Sequence, residues 1–316
     1  MSFSLCGSVG ANTGVIKCDR RRSIPKKVII GSASFDSNDY ASASTFDAAF
    51  AAAFILATGN AGKLFPFPEI TGVTDKTEAS KESTLGAFGP KVTLVEGKPA
   101  YEFDVVAGTT LEKFLRRFNG QQVPAFIVDD SNAIWGKLDA NDNFVGCDVL
   151  VYVTPHKFGD GANGQTTKVS ISFVSAGDVY DSAAFIETGL SISDMEGLLD
   201  VTLAEYAAHA SNVHKIKGFV ETSSPGVVIN LADSFTTELA SASAWTAKTG
   251  ANYSTPLTIT SVAYNIGNKG WDITFDSTEY TALSSGAKIK INLADPTTLD
   301  GLDVTGVEGV AVIATK

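Results

Sequence analysis

The segment most similar to a metal site is a run of carboxylate and amide side chains, DANDN, at residues 139–143. Oxygen ligands at alternate positions begin the calcium loop of an EF-hand. That loop also needs glycine at its sixth position and glutamate at its twelfth, where this sequence has Phe144 and Leu150. Because the run lies between two strand-like segments, it predicts a hairpin turn rather than a cation site.

Histidine, cysteine and glycine patterns add little further chemistry. His209 and His214 are five residues apart with no zinc-peptidase arrangement between them, and the only other histidine, His156, lies about 50 residues upstream. The three cysteines predict free thiols in a reducing compartment. The glycine-rich run at 159–164 lies between strands and is not followed by the Lys-Ser/Thr of a phosphate-binding loop. We therefore expect no catalytic residue, no metal and no cofactor, and hence not an enzyme.

Composition points to an acidic globular chain. Of 316 residues, 44% are apolar and 19% are charged, with 24 basic against 35 acidic residues and a net charge of −11. Such a surface repels nucleic acid and anionic membranes as a whole. The longest apolar run, Ala48–Ala57, is half the roughly 20 residues that span a bilayer. The first residues lack the basic and apolar regions of a secretory signal, so we expect no membrane insertion and synthesis in the cytoplasm.

The first half of the chain alternates between helix and strand patterns. Ser44–Thr58 predicts a helix, because phenylalanines recur every four residues on one face. Thr71–Thr84 is polar and aperiodic and predicts a structureless loop. Lys91–Val95 and Tyr101–Val106 alternate like the two strands of a hairpin. A capping box and an apolar face predict a second helix over Leu111–Phe118.

Further strands follow, and then the character of the sequence changes. Pro124–Val128 and Lys168–Val174 predict buried strands, while a second capping box at Ser193 and an apolar pattern near Leu203–Ala208 predict short helices. Beyond residue 218 helix patterns almost vanish, and five or more short strands predict a β-sandwich. Trp271 alternates with Ile273 and is expected to point inward. These patterns divide the chain into a basic N-terminal arm with a first strand (1–43), a β domain (44–210), a linker (211–218) and the sandwich (219–316).

The N-terminal arm concentrates positive charge in an otherwise acidic chain. Six of the 24 basic residues fall within eleven positions, including Arg20, Arg21, Arg22, Lys26 and Lys27. The cluster could contact nucleic acid, but it lacks the interleaved aromatic residues that stack on bases. Charge complementarity therefore favours contact with an acidic protein surface, on this subunit or on a neighbouring one.

Two long segments carry a resemblance to a known family. Pro68–Val105 (PEITGVTDKTEASKESTLGAFGPKVTLVEGKPAYEFDV) and Leu115–Val153 (LRRFNGQQVPAFIVDDSNAIWGKLDANDNFVGCDVLVYV) resemble structural proteins of tailed-bacteriophage virions, in particular the tail-tube type. The resemblance lies in the order of loop, hairpin, helix, strand, hairpin and strand. It covers roughly residues 15–205, and the segment Phe219–Lys316 is similar to the Ig-like domain often appended to such proteins.

The resemblance implies a mainly β (α+β) fold, with a tail-tube-like sandwich or barrel carrying one or two helices and a C-terminal Ig-like sandwich. It implies copies of the chain in stacked, hexameric rings within the virion tail, other virion proteins as partners, and DNA passing through the lumen without specific binding. The polar loop would reach an adjacent ring. The expected intersubunit contacts are Arg20, Arg21, Arg22, Lys26, Lys27, Asp75, Lys76, Glu78, Lys81 and Glu82.

Two other readings stay open at this point. A connector, collar or other phage structural protein would share most of these features. A cell-surface adhesin or carbohydrate-binding protein would use the C-terminal sandwich, where Trp245, Tyr253 and Trp271 could form a sugar platform. Single aromatic residues in a sandwich are more often part of its core.

Overall fold

The computed structural model describes residues 23–31, 43–84, 89–106, 109–141, 143–154, 166–221 and 228–316. Strands dominate these ranges, so the fold is mainly β with short helices, as expected. The chain divides into two compact units. The first carries the described residues up to Gly197 except 55–58, which group with the second unit, Leu198–Lys316.

The first unit is built from strands with three short α-helices. Its helices are α1 (Ala43–Phe54), α2 (Thr109–Leu115) and α3 (Gly177–Tyr180), and single 3₁₀ turns lie at Arg116–Phe118 and Ile192–Asp194. Its strands are β1 (Pro25–Ile30), β2 (Phe65–Pro66), β3 (Ile70–Asp75), β4 (Lys81–Thr84), β5 (Lys91–Val95), β6 (Ala100–Val105), β7 (Gln122–Asp129), β8 (Ala133–Leu138), β9 (Phe144–Val145), β10 (Cys147–Thr154), β11 (Thr167–Phe173) and β12 (Ala183–Glu187).

Ten of these strands form one sheet, with the order β12-β8-β7-β10-β11-β6-β3 and with β1, β2 and β9 paired beside that path. Side chains alternate across it, because successive strand residues point to opposite faces. One face is apolar and buried, with Phe103, Val149, Val151, Val169 and Ile171 each at most 1% exposed. Strands β4 and β5 form a separate two-stranded sheet.

Helix α1 covers part of this unit with its phenylalanine face, as the spacing predicts. Phe46, Phe50 and Phe54 are buried, and the Phe50 ring meets Phe126 of β7 edge to face at 5.6 Å. The helix ends at Phe54 rather than at the expected Thr58. Its last carbonyls accept hydrogen bonds from the following chain, where the Leu64 N–H donates to Ala53 and the Lys63 ammonium donates to Phe54.

Two expectations for residues 71–106 are wrong. Thr71–Thr84 is not structureless, since it contains most of β3 and all of β4. The strands at Lys91–Val95 and Tyr101–Val106 exist but do not pair with each other. Instead β4 pairs with β5, and β3 pairs with β6. Both pairs are antiparallel, and in the sequence the pair β4–β5 lies between β3 and β6. Polar strands of this kind lack the apolar alternation by which strands are identified.

The second unit is a β-sandwich. Its helices are α4 (Ser277–Ala282) and α5 (Pro296–Asp300), with 3₁₀ turns at Leu231–Asp233, Glu238–Ala240, Ala242–Ala244 and Ala251–Tyr253. Its strands are β13 (Leu199–Ala210), β14 (Val213–Glu221), β15 (Val228–Asn230), β16 (Trp245–Thr249), β17 (Thr255–Pro256), β18 (Ile259–Asn265), β19 (Gly270–Phe275), β20 (Lys288–Leu293), β21 (Val307–Val310) and β22 (Val312–Thr315).

These strands form two sheets that enclose one core. The first has the order β18-β19-β14-β13-β21 with β15 added to β14, and the second has the order β17-β16-β20-β22. Trp271 of the first sheet is fully buried, as predicted, and its ring lies 5.7 Å from that of Trp245 in the second. Because both tryptophans belong to the core, they do not form an exposed sugar platform.

The border between the units differs from the expected one. Residues 211–218, expected as a linker, form the turn after β13 and the first part of β14. The pattern at Leu203–Ala208 forms strand rather than helix, because β13 is paired along its length with β14 and, at its start, with β21. Sheet neighbours here override the helix propensity of alanine and leucine. The capping box at Ser193 produces only the 3₁₀ turn Ile192–Asp194.

Candidate assembly surface

The most exposed regular structure of the first unit is the pair β4–β5, named here the ribbon. Its pairs run from Lys81 opposite Val95 to Thr84 opposite Lys91. All nine residues are exposed on both faces, including Val92, Leu94 and Val95, of which Leu94 is 64% exposed. A two-stranded sheet without a covering layer is marginally stable in water, so the ribbon contributes little to the stability of the unit by itself.

Hydrogen bonds hold together the two segments that lead from the main sheet to the ribbon. The Lys76 N–H donates to the Ala100 carbonyl at 2.8 Å, and the Gly97 N–H donates to the Ser80 hydroxyl at 3.1 Å. Glycine is required at position 97, because a Cβ atom there would lie 1.7 Å from the carbonyl oxygen of Glu78. The close approach of the two chains fixes where the ribbon leaves the sheet.

Five of the predicted contact residues lie on the ribbon or in the segment that leads to it from the end of β3. They are all exposed: Asp75, Lys76, Glu78, Lys81 and Glu82. Glu82 lies 3.5 Å from Lys91 across the ribbon, and hydrogen bonding from Thr77 lowers the pKa of Asp75. Exposed pairs of this kind contribute little to the stability of the monomer, so their charges are available to another molecule.

Of the five basic N-terminal residues expected at contacts, the structure describes two, Lys26 and Lys27. Arg20, Arg21 and Arg22 lie outside the described residues. Lys26 is partly exposed and lies 3.6 Å from Glu69.

The prediction for Lys27 is wrong. Its side chain is buried, and its ammonium donates to the carbonyls of Ile192 and Met195 within its own unit. Burial lowers the pKa of Lys27, against the attraction of Glu196 and Glu69. A buried ammonium that already holds two carbonyls is not available for an intersubunit contact.

The second exposed feature is the polar face that β6, β10 and β11 present opposite their buried side chains. It carries Glu102, Asp104 and Asp148, with Lys168 on the same face and the ammonium of Lys137 from β8 at 2.6 Å from Asp148. Lys168 pairs with Glu102 and lies 3.5 Å from Asp104, and these contacts raise its pKa. Leu150 and Tyr152 are exposed on the same face.

The sequence alone did not indicate that the three apolar residues of the ribbon are exposed. The alternation in KVTLV identifies β5 as a strand, but a strand with one covered face and a strand with none have the same pattern. The signal that does exist is the polar partner strand KEST, because a strand with no apolar residue has no face to bury.

Metal and membrane chemistry are not apparent in the described part of the chain. No group of three His, Cys, Asp or Glu side chains in these ranges could hold a metal ion. The Asp139 carboxylate accepts the N–H groups of Asn141 and Asn143 at 2.7 and 2.9 Å, which confirms the hairpin turn. Among the described helices, none is long and apolar enough to cross a membrane.

No protein-family model matches this chain, and no curated protein has a significantly similar sequence.

Proposed function

We propose that the protein is a virion structural subunit of the phage tail-tube type, whose copies assemble into stacked, hexameric rings around a conduit for DNA. The ribbon carries the proposal. All nine residues of β4 and β5 are exposed, and three of them are apolar. A contact with another copy explains this exposure better than an isolated monomer does.

The form of the assembly follows from the type of contact. In the proposed assembly the ribbon contacts a different face of the next copy, and such a contact is heterologous. Heterologous contacts generate closed rings or open filaments, depending on the rotation between copies. Closed rings that stack and open helical filaments can both form a tube.

The charge of the chain supports the conduit. DNA binding strengthens with each phosphate that Lys or Arg neutralises. The polar face over β6, β10 and β11 has three carboxylates against the two ammonium groups of Lys168 and Lys137, and the whole chain has a net charge of −11. A lumen lined by such a face would let DNA slide without holding it.

Replacing an apolar ribbon residue tests this proposal. We expect Leu94→Asp to weaken self-association roughly 30-fold, because central apolar residues of an interface contribute about 2 kcal/mol or more. Analytical ultracentrifugation of the wild-type chain and the variant over a range of concentrations measures the change.

The matched control is Ile266→Asp, at a site in the second unit that is 84% exposed. It introduces the same charge at another exposed apolar position and should leave association unchanged. A wild-type chain that stays monomeric, or two variants that assemble equally well, would contradict the proposal.

A further inference from the structure

The apolar face of the ten-stranded sheet borders a partly open cavity of about 160 Å³ within the first unit. Strands β6, β7, β10 and β11 contribute its walls, and Asp178 and Val179 of α3 lie across it. A core packed like the rest of this sheet would leave no space of this size. The cavity is therefore a distinct feature of the fold.

Aromatic rings form much of the cavity wall. Tyr101 is stacked on Phe103 at 6.2 Å and meets Phe173 edge to face at 6.1 Å, and Trp135 lines the other side. Ring faces and edges directed into one space favour a flat apolar guest, since aromatic pairs prefer offset-stacked or edge-to-face contact.

The charged groups at the cavity are already paired. The Asp129 carboxylate accepts hydrogen bonds from the Trp135 indole N–H and the Ala133 N–H, both at 3.0 Å, and from Ser131. The Asp178 carboxylate lies 2.9 Å from the Lys137 ammonium. An ion in the cavity would find no free opposite charge among the described lining residues, and burying it unpaired would be costly. A neutral molecule meets no such cost.

We propose that this cavity is a binding site for a neutral apolar molecule of about one aromatic ring. An apolar cavity of about 150 Å³ in another protein stays dry and binds benzene, so the volume here suits a ligand of that size. The Cys147 thiol, 8% exposed, also lines the cavity, and a polarizable sulfur packs well against an aromatic ring.

Toluene and the full chain provide the test. Toluene should raise the midpoint of thermal unfolding in a concentration-dependent way, because a ligand that binds only the folded state stabilises it. It should also slow alkylation of Cys147 by iodoacetamide severalfold, followed by mass spectrometry of the peptide that contains this residue.

Two variants fill the cavity from different strands, Val149→Phe on β10 and Ala183→Leu on β12, and either should abolish both effects. The control is Leu150→Phe, which adds a ring on the exposed face of β10 and should retain them. If one filling variant does not fold, the other variant and the Cys147 labelling of the wild-type chain still decide. No toluene effect in the wild type, or an effect that survives both filling variants, overturns the proposal.

Discussion

His214 is a buried histidine held between two polar partners in the second unit. Its Nδ1 lies 2.9 Å from Glu205 Oε1 and its Nε2 lies 3.1 Å from the Tyr280 hydroxyl. The rings of His209 and Phe275 lie 4.8 and 5.4 Å from its own. Burial lowers the pKa of His214, opposed by the hydrogen bond and the charge of Glu205, while His209 lowers it further.

This arrangement predicts a loss of stability on acidification. Because the pKa of His214 is lower in the folded state than the value of about 6.5 in an unfolded chain, the unfolded state binds more protons between the two values. The contribution is complete above about pH 6.5 and is lost as the pH falls below it, until the folded-state pKa is passed. Urea unfolding between pH 7.5 and 5 measures the effect.

His214→Gln should make the urea midpoint less dependent on pH in that range, whatever its effect on stability at pH 7.5. The matched control, His209→Asn, replaces the exposed neighbour and should keep most of the dependence. Equal slopes for the wild type and His214→Gln would contradict the assignment.

At the scale of elements, strands with alternating apolar residues could be predicted from sequence and the wholly polar strand β4 could not. The apolar alternation of Lys288–Leu293 and Trp271–Phe275 identifies β20 and β19, because one face of each is buried. The strand β4 has four exposed residues and no apolar pattern, so its sequence predicts a loop. Pairing with β5, which lies beyond the local sequence, makes it a strand.

Which strands pair with each other was harder to predict than whether a segment forms a strand. The hairpin expected between residues 91–95 and 101–106 requires a turn at Gly97-Lys98. Instead, the buried Gly97 lies against the carbonyl of Glu78, in the segment between β3 and β4. In β13, sheet partners decide the structure of an alanine-rich segment that favours helix in isolation. For the candidate surface, the sequence predicts the charged residues on and before β4. It does not predict that Leu94 is exposed or that Lys27 is buried, because both depend on the tertiary fold.

At the scale of the whole molecule, the border at Gly197 defines where the chain can be shortened. A chain ending at Gly197 keeps the ten-stranded sheet and the ribbon, so it should fold and assemble like the full chain. A chain ending at Gly218 would keep β13 and part of β14 but lose β19 and β21, which pair with them. Its Val201 and Ile216 side chains would lose the core that covers them, and we expect it to aggregate.

Sedimentation and gel filtration of the two truncated chains test this border. The longer chain serves as the control, because it differs from the shorter one only by the segment expected to be unstable alone. A folded, monomeric 1–197 chain beside an assembling full chain would place the second unit in the interface and contradict the proposed division of roles.

Negative-stain electron microscopy of the purified full chain tests the central claim most directly. The account predicts six-fold rings or stacked tubes that form as the protein is concentrated, and their loss in the Leu94→Asp variant. Uniform single subunits at every concentration would contradict it.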